Sequence, residues 1–307
     1  MKTMDKARRA YELYGKEMID GLFPDCAGRI AVGLAGHGSE CFGYDDEVSL
    51  DHDVDDGFCL WLTDADYDAI GERLDEAYRS LPLSSPAAGN PNSGKLRGAM
   101  RISDFYRVYT GSAGAPYSWQ QWLSLPSWAL AEATNGQVWK DDYGLFTSER
   151  EKILHGMPED VKLKKMSARA ALMAQTGQYN YSRCLAHGEA GAAMLALADF
   201  VKEACGMIYL LNGAHCPYYK WMLRGMEELP VLGEFRFALE HLLTGDNDES
   251  GIQLKKDLVE DICAGVIAEL KRRDLTSGSW DYLEPHAFSI AERIRDPEIR
   301  SLHVMEG

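Results

Sequence analysis

The sequence predicts an α/β (α+β) domain with a mixed sheet over residues 1–147, followed by an all-α helical bundle over residues 148–307. Two short apolar runs, Ile30–Leu34 and Phe58–Leu62, are bounded by Gly and Asp and are typical of neighbouring strands in a buried sheet. From about Ser148 onward the pattern is almost wholly helical, as expected for a bundle that follows an α/β unit. The chain has 307 residues, of which 46% are apolar, so two domains with proper cores are possible.

The first domain is expected to begin with an amphipathic helix, because apolar residues recur at three- and four-residue steps from Lys6 to Gly21. Asp64 is expected to cap the helix that follows the second strand. The segment 81–98 is rich in Pro and Gly and predicts an extended loop, which is either a mobile lid or a plain surface connection. The further elements expected are strand 29–35, strand 57–62, helix 65–80, strand 98–103, helix 105–110, two short helices within 116–133 and edge strand 136–139.

The second domain is predicted from helical periodicity alone. A short aromatic segment, Pro217–Trp221, is expected to start a helix just after a long one ends at Asn212. The helices expected are four long ones over 159–184, 189–212, 232–243 and 252–273, and a shorter one over 285–295.

Charge and composition limit the classes of partner. The formal net charge is −16, with 48 acidic and 32 basic residues. Such a surface repels nucleic-acid phosphates and anionic lipid, so nucleic acid and membranes are disfavoured, while a cationic acceptor is compatible. Seven scattered Cys fit reduced thiols, the N-terminus has no apolar signal region, and charges interrupt every apolar stretch before about 18 residues. These features predict a cytoplasmic protein without a membrane span.

The stretch Gly36–Leu62 concentrates the residues with candidate chemistry. Gly38 has no Cβ, so the backbone around Ser39 can approach a phosphate closely and direct N–H groups at it. Asp51 and Asp53 are two residues apart, and in extended structure their side chains point to the same side. Two carboxylates that close repel each other unless a divalent cation lies between them. A Gly-Ser turn for phosphate and two oxygen ligands for Mg²⁺ are the groups that nucleotidyl transfer requires.

The order of these features resembles the nucleotidyltransferase superfamily of the DNA-polymerase-β type, which includes the antibiotic nucleotidyltransferases. A hydrophobic strand, Gly38-Ser39, eleven intervening residues, Asp51-x-Asp53 and a second strand match the G-S…D-x-D signature of that superfamily. The chain more closely resembles an uncharacterised bacterial branch with S-x-D-H-D at this place, and the similarity extends to Tyr179-Asn180 and Pro217–Trp221. The resemblance covers most of the chain. It departs from the wider superfamily at His52, where an apolar residue is usual.

The resemblance implies a nucleotidyltransferase-like first domain that transfers a nucleoside monophosphate, with ATP as the expected donor. Gly38, Ser39 and His52 would bind the triphosphate. Asp51 and Asp53 would be catalytic as the ligands of one or two Mg²⁺. A hydroxyl of a small molecule or a protein would attack the α-phosphorus and release pyrophosphate.

A third carboxylate is usual in the superfamily on a following strand, where it holds metal or removes the proton of the acceptor. Asp104 is the best-placed catalytic candidate by chain order. It also lies where a helix is expected to begin and would serve equally well as an N-cap. Both roles therefore stay open.

The aromatic segment of the second domain carries the other candidate nucleotide-binding residues. Lys220 would contact a phosphate, and Tyr218 or Tyr219 would stack on the base. The alternative is an aromatic helix start that packs against the first domain.

A second function also stays open, that of a non-catalytic nucleotide-binding or partner-binding protein on the same fold. Acidic residues in a loop are usually solvated surface, and no clean strand carries the third carboxylate. The closely spaced pair Asp51 and Asp53 favours the catalytic alternative, because two such acids without a metal are costly.

Overall fold

The structure is a computed structural model that describes residues 1–46, 56–84 and 96–307 of the chain. Within these residues the fold is mixed α+β, with a small four-stranded mixed sheet and many helices. This confirms the fold class expected from the sequence at the coarse level. Asp51, His52, Asp53 and most of the predicted loop 81–98 lie outside the described residues.

The chain divides into two compact units. One consists of Met1–Tyr117 with Ala129–Gly156, and the other consists of Ser118–Trp128 with Met157–Gly307. The domain boundary expected after residue 147 falls inside a helix that belongs to the first unit.

The first unit is built around the sheet, with helices on both faces. In chain order up to Gly156 the elements are α1 (Thr3–Ala10), a π-helical turn (Tyr11–Gly15), α2 (Lys16–Leu22), β1 (Ala31–Leu34), β2 (Cys59–Leu62), α3 (Asp64–Arg79), β3 (Gly98–Arg101), α4 (Ile102–Thr110), α5 (Trp119–Ser124), α6 (Ser127–Thr134), β4 (Gln137–Lys140) and α7 (Leu145–His155). Of these, α5 lies in the second unit and α6 crosses from the second unit into the first.

The directions of the strands determine which loops meet. The strand order is β3-β2-β1-β4, with β1 antiparallel to both β2 and β4, and β2 parallel to β3. The carboxyl end of β1 therefore lies at the same sheet edge as the amino ends of the other three strands. We call this edge, which is formed by strand ends and not by the side of an outer strand, the turn edge.

Side-chain alternation along β2 divides the core into two layers. Leu60 and Leu62 are fully buried on the face that also packs Ile19, Leu74 and Tyr78 from the helices. Trp61 points to the opposite face, which it shares with residues of α4 and α7. There its ring stacks on that of Phe146, with centroids 3.8 Å apart, and meets Phe105 edge to face. Both faces are buried, as the apolar run Phe58–Leu62 predicts.

Two helix starts differ from those expected. Thr63, not Asp64, caps α3, because its Oγ1 accepts the N–H of Asp66 at 3.1 Å. The carboxylate of Asp64 instead accepts the hydroxyl of Ser103. The helix after β3 begins at Ile102, so Asp104 lies in its first turn, and the N-cap position belongs to Arg101. The N-cap role considered for Asp104 is therefore wrong.

The second unit contains only helices among its described residues. The long helices expected from the sequence are present, although a π-helix interrupts the first of them and the ends shift by a few residues. After α5 the elements are α8 (Glu159–Met173), a π-helix (Ala174–Tyr181), α9 (Ser182–Ala186), α10 (Ala190–Leu211), α11 (Tyr219–Gly225), α12 (Arg236–Thr244), α13 (Glu249–Arg272), α14 (Glu284–Ala291) and α15 (Pro297–Ser301). None of the helices in the described ranges is long and apolar enough to cross a membrane.

Candidate functional site

The candidate site is a tight turn, Gly36–Ser39, that follows β1 at the turn edge. Gly36 and Gly38 have φ angles of 107° and 125°, which lie in the left-handed region that favours glycine. Ser39 then begins a single 3-10 turn, Ser39–Phe42. Irregular backbone at a strand end is where a phosphate can meet N–H groups that the sheet does not use.

Two side chains from distant parts of the chain hold Gly36 in place. The amide of Asn135 makes two hydrogen bonds to it: Oδ1 accepts the Gly36 N–H and Nδ2 donates to the Gly36 carbonyl, both at 2.8 Å. A Cβ on Gly36 would lie 2.4 Å from the hydroxyl oxygen of Tyr109. Only glycine fits here, on grounds of both φ and space.

Gly38 packs on a buried ion pair. A Cβ at this residue would lie 2.4–2.6 Å from the carboxylate atoms of Glu40. Glu40 pairs with Arg97 at 2.9 Å, and both side chains are only 5% exposed. Because Arg97 directly precedes β3, the pair connects the turn to the neighbouring strand at the same edge.

His37 lies between the two glycines and contacts two further elements. Its backbone N–H donates to the hydroxyl oxygen of Tyr109 on α4 at 3.1 Å. Its Nδ1 lies 3.1 Å from a carboxylate oxygen of Glu132 on α6. The His37 side chain is 54% exposed, whereas that of Glu132 is only 7% exposed. Burial, and after it the charge of Glu132, raises the pKa of the Tyr109 phenol, which keeps that hydroxyl protonated at neutral pH.

Of the candidate phosphate and metal residues, Gly38 and Ser39 lie together on this turn. Asp51, His52 and Asp53 are outside the described residues. Among the part of the chain that is described, no group of three or more His, Cys, Asp or Glu residues is placed to hold a metal ion. The assignment of Asp51 and Asp53 as Mg²⁺ ligands therefore stays a prediction from the sequence.

Asp104 is not brought together with the turn. It follows β3, whose carboxyl end lies at the sheet edge opposite the turn edge. Its side chain is 54% exposed and pairs with Arg107 at 2.5 Å and with Arg101 at 3.8 Å. At that edge of the sheet, Asp104 is not positioned to be a third metal ligand at the turn.

Lys220, Tyr218 and Tyr219 lie together at the start of α11 in the second unit. The two tyrosine rings are 4.4 Å apart between centroids, and Tyr218 also meets Trp128 edge to face at 6.1 Å. Tyr218 and Tyr219 are 39% and 59% exposed. The aromatic segment therefore presents ring faces at the surface of its own unit, and a base-stacking role stays a prediction.

The sequence interpretation missed Tyr109, Glu132 and Asn135. They contact the turn across 72, 95 and 99 residues of chain respectively. They are spread over α4, α6 and the loop before β4, so no local spacing links them to the Gly-Ser motif. One signal in the sequence could have indicated Glu132: α6 is an apolar helix with a single acid among alanines. A Glu buried in such a helix requires a polar partner.

Comparison with protein-family models shows a similarity over the middle of the chain. A family model described as a domain of unknown function, DUF4037, matches residues 122–222. This span includes Glu132 and Asn135 beside the turn and the aromatic segment of the second unit. No curated protein and no solved structure matches the chain.

Proposed function

We propose that this chain is a Mg²⁺-dependent nucleotidyltransferase that moves a nucleoside monophosphate, AMP from ATP, onto a hydroxyl of a small molecule or a protein. The observation that carries the proposal is the clamped Gly36–Ser39 turn at the carboxyl end of β1. Its two glycines cannot be replaced without strain or overlap, and Ser39 follows them directly. Such a turn suits the binding of a phosphate group, because its backbone is already ordered and loses little further conformational entropy when the ligand binds.

The second support is the order of the motif along the chain. Asp51 and Asp53 precede β2 in sequence, and the amino end of β2 lies at the turn edge. Two carboxylates two residues apart are a donor set that fits Mg²⁺, which prefers oxygen ligands. When bound, the metal would supply stabilisation of the negative charge that develops on the phosphate oxygens.

The roles follow from these positions. The Ser39 hydroxyl and the backbone N–H groups of Gly38 and Ser39 would hold the β- and γ-phosphates, since the N–H groups of Gly36 and His37 already donate to Asn135 and Tyr109. Asp51 and Asp53 would hold the metal. Tyr218, Tyr219 and Lys220 are proposed contacts for the base or the acceptor. Asp104 is left out of the proposed machinery because it lies at the opposite edge of the sheet, which leaves the general base to another residue.

The test is calorimetric titration of each nucleoside triphosphate with Mg²⁺ into the wild-type protein and into the variant Asp51→Asn/Asp53→Asn. Asp20→Asn/Asp25→Asn is a matched control, since it removes the same charge from two exposed residues of the first unit. Micromolar binding of one nucleotide that requires metal and both acids, and is retained in the control, is expected. The proposal fails if no nucleotide binds, or if the control weakens binding as much.

A second candidate function is a non-catalytic nucleotide-binding protein on the same fold. It is favoured by the surface position of Asp104, which leaves the role of the usual third carboxylate without an assigned residue. Release of pyrophosphate from bound Mg·ATP separates the two functions, because a binding protein releases none.

A further inference from the structure

The free side of β4 carries a groove that contains none of the proposed nucleotide-binding residues. β4 is the outer strand of the sheet, and among residues 1–46, 56–84 and 96–307 no further strand pairs with it. A cavity of about 600 Å³ follows this side of the strand, and we call it the β4 groove. It is lined by residues 136–141 of the strand and its ends, by one residue of α1 and by four of α7: Arg8, Thr147, Arg150, Glu151 and Leu154.

The lining residues show that the groove runs along the strand rather than over one face of the sheet. Consecutive residues of a strand point to opposite faces, so a cavity that touches all six residues of 136–141 follows the backbone of β4. The two helices lie on opposite faces. Ala10 of α1 belongs to the core on the face of Leu60, whereas Phe146 of α7 stacks on Trp61 on the other face. The groove therefore has a helix on each side and the strand backbone as its floor.

The floor of the groove offers a row of backbone groups. Gly136 closes one end, because its N–H donates to the Cys41 carbonyl at 2.8 Å and its carbonyl accepts Nη2 of Arg150 at 3.2 Å. The open part is β4 itself, residues 137–140, which pairs with β1 on one side only. An outer strand presents N–H and C=O groups on its free side, and these can pair with another extended chain.

Arg150 is the cation of the groove that makes no ion pair within the part of the chain that the structure describes. Its side chain is partly buried, and its contact with the Gly136 carbonyl uses one nitrogen of the guanidinium. Burial lowers the pKa of this guanidinium, the direction expected for a cation without a close carboxylate. A guanidinium has five N–H donors in a planar fork that matches a carboxylate. A carboxylate in the groove would therefore supply a partner for Arg150.

The two carboxylates that line the groove interact with other groups. Asp141 accepts the backbone N–H and the hydroxyl of Thr147, both at 2.8 Å. Glu151 lies 3.2 Å from Nε2 of His155 in an exposed pair on α7. Neither of them is within ion-pairing distance of Arg150, so the charge of its guanidinium is not neutralised by direct contact.

The balance of charge in the groove differs from that of the whole chain. Arg8 and Lys140 line it together with Arg150, so three cations face two carboxylates, whereas the formal net charge of the chain is −16. Arg8 pairs with Glu12 in an exposed contact, and such contacts exchange partners at little cost. The groove is thus a locally positive site beside a free strand.

We propose that the β4 groove binds an extended acidic peptide segment of a partner protein, which adds as a strand beside β4 and places an Asp or Glu side chain at Arg150. Hydrogen bonds to residues 137–140 would supply affinity, and the acid would supply selectivity. Val138 and Leu154 also line the groove, which suits apolar residues between the acids. A second copy of this chain is a poorer occupant, because pairing β4 with β4 brings the same cations together. The inference does not depend on the proposed nucleotide chemistry.

The test is selection of a phage-displayed library of random heptapeptides on the wild-type protein, followed by measurement of Kd for the selected peptides by fluorescence polarisation. The selected peptides are expected to alternate β-branched residues with Asp or Glu. Arg150→Met keeps an apolar side chain without the charge, and should weaken their binding about 10- to 100-fold. Arg9→Met is the matched control and should leave Kd unchanged, since Arg9 is an exposed residue of α1 outside the groove.

Backbone methylation of a selected peptide separates strand addition from the capture of an acid alone. The N–H groups of alternate residues in a strand point to the same side. Methylation of the nitrogens on one side removes the hydrogen bonds to β4 and should weaken binding about 10-fold or more. Methylation of the alternate nitrogens, which point away from β4, is the matched control and should have little effect.

The proposal is overturned if the library yields no peptide, if the selected peptides bind the Arg150→Met protein as tightly, or if both methylated peptides bind equally. Binding of N-acetylglutamate with the same Kd would also overturn it, because a site for a small acid needs no strand. Should Arg150→Met not fold, the two methylated peptides decide on wild-type protein. None of these outcomes bears on whether the chain binds a nucleotide.

Discussion

At the scale of single residues, the turn after β1 is surrounded by side chains that leave no room for a residue larger than glycine at Gly36 or Gly38. The hydroxyl of Tyr109 fills the space beside Gly36, and the carboxylate of Glu40 fills the space beside Gly38. Glycine is required at both positions by φ as well as by volume. The local sequence predicts a turn, but the reason for its rigidity is tertiary.

Gly38→Ala is expected to lower the free energy of unfolding of the first unit by about 1–3 kcal/mol, the cost of a strained backbone conformation. It should also weaken Mg·ATP binding, because Ser39 shifts with the turn. Urea unfolding and calorimetry measure the two effects. Gly21→Ala is the control: Gly21 lies in α2 with nothing within 4 Å of a new Cβ, so it should stabilise slightly. Equal effects of the two substitutions would contradict the account of the turn.

Arg97→Met tests the buried ion pair beneath Gly38. Removing one partner of a buried pair leaves the carboxylate of Glu40 without this charge partner, which typically costs about 3–5 kcal/mol. The comparison is Arg8→Met, since Arg8 and Glu12 form an exposed pair with 56% and 58% of their side chains accessible. That substitution should cost less than about 0.5 kcal/mol in chemical denaturation. If Arg97→Met also lowers the free energy of unfolding by less than about 0.5 kcal/mol, the ion pair does not stabilise the turn.

At the scale of elements, apolar periodicity was a good guide to which segments form helices and strands. β1 and β2 lie within the predicted runs because both faces of these strands are buried, so every residue in them is apolar or glycine. Helix ends were less well predicted. Thr63 rather than Asp64 caps α3, since the Thr63 hydroxyl oxygen accepts the N–H of Asp66. The carboxylate of Asp64 accepts a hydrogen bond from Ser103 instead.

The C-terminal turn of α13 offers a prediction about pH. Hydrogen bonds from Arg272 and Arg273, offset in part by burial, lower the pKa of Glu269 to about 2. Its side chain is only 9% exposed. A lowered pKa in the folded state contributes stability above the unfolded value of about 4.3, and that stability is lost as the pH falls toward 2.

Glu269→Gln is therefore expected to destabilise the protein by about 2 kcal/mol at pH 7, the usual range for hydrogen bonds to a charged group. The difference from wild type should shrink between about pH 4.5 and 2. Urea unfolding at pH 7 and pH 3 measures it, with Glu12→Gln as the exposed control. A difference that stays constant with pH would mean that packing, rather than charge, accounts for the loss.

At the scale of the whole molecule, the net charge of −16 sets the long-range field. An anionic ligand such as Mg·ATP approaches against this field, whereas a cationic acceptor is attracted. Salt weakens both effects, because the screening length falls from about 30 Å at 0.01 M to about 10 Å at 0.1 M.

Raising NaCl from about 0.01 to 0.1 M is therefore expected to increase the association rate of Mg·ATP severalfold, opposite to the trend of a basic nucleotide-binding protein. Stopped-flow measurement with a fluorescent ATP analogue tests this, and the corresponding uncharged nucleoside analogue is the control. Binding of an aminoglycoside should weaken over the same range. A rate for Mg·ATP that falls with salt would mean that local positive potential outweighs the net charge.

The sequence by itself determined the coarse fold class, mixed α+β, the succession of most elements and the Gly38-Ser39 turn after β1. These depend on local periodicity, glycine and the order of residues along the chain, which a sequence records directly. The tertiary structure decided which residues surround the turn. The strand directions put Asp104 at the opposite edge, and the packing of α4, α6 and the loop before β4 brought Tyr109, Glu132 and Asn135 to His37 and Gly36 from 72 to 99 residues away. Contacts of that separation depend on strand direction and packing, because no local pattern in a single sequence encodes them.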